Sequence, residues 1–482
     1  MRRALALALS ATALAGCTLE PAYVRPTPAV PRTWPVGAAY PAESAAPLPS
    51  VSYRDIFKDP HLQAIIDRAL ANNQDLQVAM ANVTIARSQY RIQRAQLLPR
   101  IEATAGATES HGKSAGSSSG GTASAQGTTT RSYDANIGFS AFEIDLFGRL
   151  RSLSHAAQQQ YFASEAGVHT ARLTLVAEVA AAYLTLAADR SLLAISAGTE
   201  AADVKSVELT RARLVGGIAP RTDLRQAETL LDQARSDQAN LTTIVAQDRN
   251  ALELLVGAPV ADADLPPSIE SVDGMLGEVP AGLDSRILLR RPDVVAAEYR
   301  LRAANAQIGA ARANFFPTIS LTALAGVASP ALGALFNGKN SNWTVSGSGA
   351  QTIFAGGANV ANLALTKGQR DLALAQYQLA IQTAFREVAD GLARRGTIDD
   401  QLSAQTSLEA AASDSYTLFD ARYKQGVDPY LNTLIAQRTL YAAQQTLAAT
   451  RFLKADNLVT LYRVLGGDQL IDAMPPPKTA RR

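Results

Sequence analysis

The 482-residue chain contains one cysteine, four histidines and four methionines. That inventory leaves no material for a Cys/His metal cluster and gives no support for a soft-metal path. Aromatic residues are 6 % and charged residues 18 % of the chain, too few for a thick aromatic core or a densely charged surface. Basic and acidic residues nearly cancel, 45 against 43, so no electrostatic footprint for nucleic acid exists. Proline is missing from Gly148 to Leu214. Uninterrupted helix over that length would run roughly 100 Å at about 1.5 Å per residue, which no globular core requires. Catalytic spellings are absent or hollow. Gly333 to Lys339 mimics a phosphate loop, but Asn340 replaces its Ser/Thr and the stretch falls between strands. Gly116-Ser-Ser-Ser-Gly120 fits a nucleophile elbow only because its loop is Ser/Gly-rich.

The N-terminus specifies a compartment. Arg2 and Arg3 precede an apolar run, Ala4 to Leu14, too short to cross a bilayer. Leu14-Ala15-Gly16-Cys17 resembles the bacterial lipoprotein box, which makes 1–16 a signal peptide and Cys17 a lipidated first residue. The alternative is an ordinary signal peptide whose cleavage site precedes a cysteine. With Cys17 lipidated, the mature chain keeps no thiol. Thr18, in place of an aspartate, favours the outer membrane by the same resemblance.

Residues 17–59 are rich in proline and predict an extended tether or equatorial segment. Helical periodicity (Leu62, Ile65, Ile66, Ala69, Leu76, Val83) predicts a helix over 60–98 that Pro99 ends. The period then changes to two. Ile101, Ala103, Ala105 and Ala107 alternate with polar residues; 111–130 predicts a Gly/Ser/Thr loop; Tyr133, Ala135, Ile137, Phe139 and Ala141 alternate again. Two such runs make a β-hairpin over 99–147, long enough to cross a bilayer at about 9–11 residues per strand. Residues 148–257 predict a helical hairpin with its tip near 214–221. Its returning arm carries the seam Leu224, Ala227, Leu231, Ala234, Leu241, Val245, Leu252 and Leu255, interrupted by Gln238 and Asp248. A linker over 258–284 follows.

The same order then repeats: a helix over 285–316, a hairpin over 317–355 (Ile319, Leu321, Ala323, Ala325, Val327; Trp343, Val345), a helical hairpin over 356–466 with its tip near 423–430, and a tail over 467–482. The clearest sign of duplication is at the tips. Arg211-Ala-Arg-Leu-Val-Gly-Gly-Ile-Ala-Pro220 and Asp420-Ala-Arg-Tyr-Lys-Gln-Gly-Val-Asp-Pro429 share an Ala-Arg, a glycine and a proline three residues later. Gly217 and Gly426 suit a helix C′ position, and each proline suits the first turn of the next helix. The register between halves shifts from 218 to 209 residues, which assigns the length difference to the hairpin loops. The Arg290-Arg291 pair reads as a surface pair at a helix start.

Four strands cannot close a membrane barrel, and open edges are not tolerated in lipid. Several chains must therefore share one, and three supply 12 strands. The fold class is an internally duplicated α+β membrane protein: a homotrimeric 12-stranded β-barrel, four strands per chain, continued by a long α-helical coiled-coil barrel.

Arg290-Arg-Pro-Asp-Val, Phe315-Phe-Pro-Thr-Ile-Ser, Asp145-Leu-Phe-Gly, the lipobox and the paired tips resemble the TolC-like outer membrane efflux protein family, in its lipidated OprM/NodT-type subgroup. The resemblance implies an outer-membrane exit duct that passively conducts small molecules for a tripartite pump. Its partners would be a periplasmic adaptor protein, an inner-membrane transporter of the resistance–nodulation–division class and outer-membrane lipid. It implies no enzyme, no metal and no cofactor beyond the lipid on Cys17. The alternatives are a duct for type I protein secretion and a non-conducting coiled-coil lipoprotein. The family's periplasmic end is closed by polar and ionic contacts at the tips. Its motif places a tyrosine three residues before the glycine and acids six and nine after it. Tyr423 and Gly426 match, whereas Asn432 and Ile435 stand at the acidic positions. Asp223, six after Gly217, does match. Gate candidates are thus Asp223, Tyr423, Asp428 and Asn432, with Arg213, Arg221 and Arg422 as cationic partners. Otherwise Asp223 caps a helix and Asp428-Pro429 is turn chemistry. Gly216, Gly217, Pro220, Gly426, Val427 and Pro429 are the expected adaptor contacts. Tyr133, Phe139 and Trp343 are candidates for an interfacial aromatic girdle, or for simple packing.

Overall fold

The computed structural model describes residues 18–40, 52–113, 127–272, 274 and 285–467. Cys17, its leader and the tail beyond Gly467 lie outside them. The elements are α1 (Tyr53–Ile56), α2 (Pro60–Asn72), α3 (Gln74–Ala95), β1 (Glu102–Lys113), β2 (Gly127–Glu143), α4 (Arg149–Val215), α5 (Arg221–Val256), α6 (Pro292–Ala313), β3 (Thr318–Ser329), β4 (Ser341–Ala350), α7 (Ala358–Lys424) and α8 (Tyr430–Val464). From α3 and α6 onward the halves match element for element. The helices α3 and α6 have 22 residues each, and α4 and α7 have 67 each. The returning strands differ, 17 residues in β2 against 10 in β4, so the length difference assigned to the loops falls mainly in strand.

Two compact units form. The first combines described residues up to Pro26 with Thr84–Ala163 and Glu298–Ala375, and holds the sheet. Strand order is β1-β2-β3-β4, all antiparallel. Paired residues share a face, so Ala103, Ile137, Ala325 and Trp343 lie in one row, and Phe139, Ala323 and Val345 in the next. The opposite face carries Thr104, Asn136, Gly326, Asn342 and Thr344, with Leu324 the apolar exception. The apolar face is open: Ile137, Val345 and Trp343 are 59, 61 and 76 % exposed.

Two expectations for the sheet need correction. The loop over 111–130 is shorter, because His111, Gly112 and Lys113 pair with Thr129, Thr128 and Gly127; backbone ladders need no apolar alternation. Ala141 does not continue the apolar face either. A bulge between Phe139 and Phe142, with Ala141 at φ 53°, inserts one residue and sets Phe142 opposite Leu321. Phe142 then meets Phe139 edge-on at 6.0 Å.

Residues 18–25, which form no helix or strand, dock on this unit. Arg25 makes two hydrogen bonds to Glu298 (3.0 and 2.7 Å), Asn305 donates to the Pro21 carbonyl (2.8 Å) and Arg312 to that of Leu19 (3.1 Å). Gly309 is required there, since a Cβ would stand 2.8 Å from the Glu20 Cα.

The second unit comprises Thr27–Val83, Ser164–Ala297 and the chain from Gln376 onward. The helix expected over 60–98 breaks at Asn73. This residue ends α2 and starts α3, its side chain accepting from the Leu76 N–H and donating to the Leu255 carbonyl (2.9 Å each). Leu62, Ile65, Ile66 and Ala69 are fully buried, each of the larger three contributing about 1.5–3 kcal/mol of apolar burial. The α5 seam is buried at Leu224, Ala227, Leu231, Ala234, Leu241 and Leu252, but ends on Val256 rather than Leu255. The proline-rich segment packs on α7 through Trp34, stacked 5.0 Å from Phe385. It also yields one helical turn, α1, where proline has run out and Ser52 caps.

Arg291 is not a surface residue; only Arg290 of that pair is exposed. Arg291 is 7 % exposed and joins Asp293 (3.1 and 2.8 Å), Glu387 (3.0 Å) and the Val464 carbonyl (2.7 Å), tying α6 to α7 and the end of α8. Removing one member of such a set strands buried charge, at roughly 3–5 kcal/mol. Arg291→Met should therefore lower the denaturation midpoint in detergent far more than Arg290→Met, which should be near neutral.

Candidate functional site

Both helical hairpins turn by the same device. At the first tip Gly217 has φ 72°, its N–H donates to the Leu214 carbonyl (3.0 Å), and the Ile218 N–H donates to that of Arg213 (2.9 Å). At the second, Gly426 has φ 78°, its N–H donates to Tyr423 (2.9 Å), and the Val427 N–H donates to Arg422 (2.9 Å). These are Schellman closures, satisfying the last carbonyls of α4 and α7. No atom lies within 4 Å of a Cβ at either glycine; the dihedral, not space, requires them. Pro220 and Pro429 stand at the N-cap, one place before the helix position expected for them, with extended ψ of 157° and 152°. Gly216, Gly217, Pro220, Gly426, Val427 and Pro429 are all exposed, and with them Val215 and Ile218 at 86 and 79 %.

Behind these turns the hairpins lock together. Tyr423 and Tyr430 are 5 and 1 % exposed, their rings 5.2 Å apart, packed with Val207, Leu224, Ala227 and Leu231. The Arg213 guanidinium lies 4.3 Å over the Tyr423 ring and donates to the Lys424 carbonyl (2.8 Å). Further hydroxyl contacts join Thr210 to Tyr423 (3.5 Å) and Ser206 to Tyr430 (3.1 Å). One more heptad step away, the Gln437 amide donates to the buried carboxylate of Asp203. Residues 203, 206, 210 and 213 are spaced as a helix seam, so α4 presents a polar ladder to the second hairpin.

The structure therefore brings some candidates together and separates others. Tyr423 and Arg213 meet across the hairpins. Arg422 and Asp428 pair within one tip, at 2.5 and 3.2 Å; the Arg422 hydrogen bond holds the Asp428 carboxyl below the usual carboxylate range. Asp223 joins neither group. It does not cap α5, and its carboxylate meets only the Thr222 hydroxyl at 3.5 Å among the described residues. Arg221 is exposed and makes no ion pair among them. Asn432 and Ile435 face a shallow groove beside Phe419 and Thr439. Tyr430, Thr210, Ser206 and the Asp203–Gln437 contact escaped sequence reasoning; their heptad spacing along α4 and α8 was the available signal. The girdle candidates occupy three levels of the apolar face: Tyr133 opposite Ser329, Trp343 opposite Ala325 and Phe139 opposite Ala323.

A duplicated chain with one open amphipathic sheet and two matched, locked helical hairpins is built as a membrane channel subunit. The chain belongs to the outer membrane efflux protein family, whose description matches residues 65–258 and 283–467. It is 43 % identical to the toluene efflux pump outer membrane protein TtgC of Pseudomonas putida, over 96 % of this chain and 95 % of that one. It is 38 % identical to the outer membrane protein OprJ of Pseudomonas aeruginosa, over 95 and 94 %. It also resembles the crystal structure of the open state of the MtrE outer membrane channel of Neisseria gonorrhoeae, with TM-score 0.81, 36 % identity and 94 and 99 % coverage. The fold is the one these channels share, and its place is the outer membrane.

Two outcomes test the tip. Tyr423→Ala should destabilise the hairpin contact by about 3 kcal/mol, read as earlier protease cleavage at the tips, whereas Tyr423→Phe should change little. Because its carboxyl is depressed, the Asp428 pair is present above the ordinary value of about 3.9 and lost as pH falls through the depressed value. Asp428→Asn and wild type should differ in protease resistance of the tip at pH 6 and converge once pH has fallen through that depressed value.

Proposed function

We propose that three copies of this chain form the exit duct of a tripartite efflux pump, passively conducting small molecules from an inner-membrane transporter and a periplasmic adaptor to the exterior. The single observation that carries this is the sheet. Its outer strands β1 and β4 each pair on one side only, while one face is apolar and exposed. In hydrocarbon every backbone N–H and C=O must be paired, so β4 of one copy pairs with β1 of the next until the barrel closes. A non-conducting scaffold would have no use for such a face.

The relatives named for toluene export support small apolar solutes as cargo. The adaptor meets the exposed tips, where Val215, Ile218 and Val427 offer an apolar collar among polar turn residues. The tips also form the periplasmic gate, with the Arg213–Tyr423 contact as its main closure; Asp223, in no ion pair among the described residues, faces neighbouring copies. Energy comes from the transporter, so the duct does no chemistry and takes no cofactor. Its one covalent group is lipid on Cys17, which anchors it beside the barrel.

Purified protein in a planar bilayer should conduct as a three-copy assembly, and Arg213→Ala should raise its open probability several-fold. Absence of ion flux in both proteins, folded and inserted, would sink the duct. Cys17→Ser should abolish incorporation of labelled palmitate; retained label would overturn the anchor.

A further inference from the structure

Of the four rungs that α4 presents to the second hairpin, the Asp203–Gln437 rung differs in kind. Asp203 is 2 % exposed and Gln437 6 %. Among the described residues no cation pairs with the carboxyl. The groups that sense its charge are phenols, Tyr416 from α7 and Tyr430 from α8. Asp420, one turn further along α7, is occupied by Lys424 at 2.7 Å. On the α5 side, Glu200 of α4 pairs with Arg235 at 3.2 Å, and Arg235 is half exposed. Tyr441 of α8, the next polar contact, donates to Asp237 (3.0 Å). An ionised carboxylate here has one amide donor for several lone pairs and pays full desolvation. A protonated one completes a cyclic pair: its O–H donates to the Gln437 carbonyl oxygen while its other oxygen accepts from the amide.

We propose that Asp203 and Gln437 form a proton-operated latch between the two hairpins, closed when Asp203 is protonated and loosened when it ionises. This rests on the tips being the moving end of the duct. Burial pushes the Asp203 carboxyl up to about 6, and the Gln437 hydrogen bond only partly opposes it. Once the hairpins part, the group returns to water and to its ordinary value of about 3.9. The sign follows: a raised carboxyl makes the latch most stable below about pH 4, and that stability is lost as pH rises through about 6. The two-unit difference changes the latch equilibrium by up to about 100-fold between these limits. The latch tightens in acid, opposite to the Arg422–Asp428 pair, so the two are separable by titration.

The test uses the full-length protein in lipid, with spin labels at Lys205→Cys and Arg438→Cys on exposed flanks of α4 and α8, and conductance measured in parallel. In wild type the label distance should be short and narrow at pH 5 and gain a longer population by pH 7.5, with a midpoint near 6. Asp203→Asn, which keeps an amide pair without a titrating group, should stay short throughout. Gln437→Leu removes the donor, so its midpoint should move above that of wild type. An unchanged distance in wild type from pH 5 to 7.5, or the wild-type transition persisting in Asp203→Asn, overturns the latch. Loss of conductance at every pH with the label transition intact would count against the duct alone.

Discussion

A strand edge in hydrocarbon has no solvent to pair its N–H and C=O groups, and much of this chain follows from that constraint. Four strands leave two edges, so the subunit is incomplete by itself. Its sheet carries no packed core: alanine, glycine and a few aromatics form a face whose burial comes from lipid, not protein. That explains a low aromatic content in a chain of 482 residues. Among the described residues one helix, Arg149–Val215, is apolar enough to cross a bilayer, and 61 % of its apolar window is buried inside the protein.

The second theme is how the chain treats buried charge. Glu298 is nearly inaccessible, yet Arg25, Arg302 (2.6 Å) and the Tyr23 hydroxyl (3.2 Å) surround it. Burial alone would raise its carboxyl, but the two arginines outweigh that and hold it below the usual range. Arg291 is compensated in the same manner by two carboxylates and a carbonyl. These clusters fasten elements that must not move. Asp203 has burial without a cation, and it sits where the hairpins meet. Well-paired charge marks fixed joints, and poorly paired charge a joint whose strength depends on conditions.

Sequence reasoning reached the architecture because periodicity and duplication are redundant signals. Each strand, each long helix and both glycine turns were written twice, and the period changed cleanly at Pro99 and Pro317. It failed where a single residue decides. Asn73 splits a helix that its neighbours would continue, because its side chain competes for backbone groups. Ala141 shifts a strand by one through a bulge that no composition rule marks. Arg291 looks like a surface charge until its two distant partners, Glu387 and the Val464 carbonyl, are known. At the tips, the family resemblance offered Asp223, Tyr423 and Asp428 as gate residues with Arg213, Arg221 or Arg422 as partners, and left the pairing open. Within one chain the hairpins meet there through cation–π and hydroxyl contacts, and Arg422 and Asp428 pair within one turn. Pairing between helices depends on rotation about their axes, which a list of charges does not contain.

The docked N-terminal segment bears on the order of folding. Its partners at Glu298, Asn305 and Arg312 follow it by 273 to 293 residues. Closing a loop of that size is entropically slow, and no contact of this kind can form until the second half exists. The residues made first are thus among the last to settle. They lie across α6, in the space that Gly309 leaves beside Ser152. The segment works as a closing seam for the duplicated body: its docking reports that the second half is present and folded.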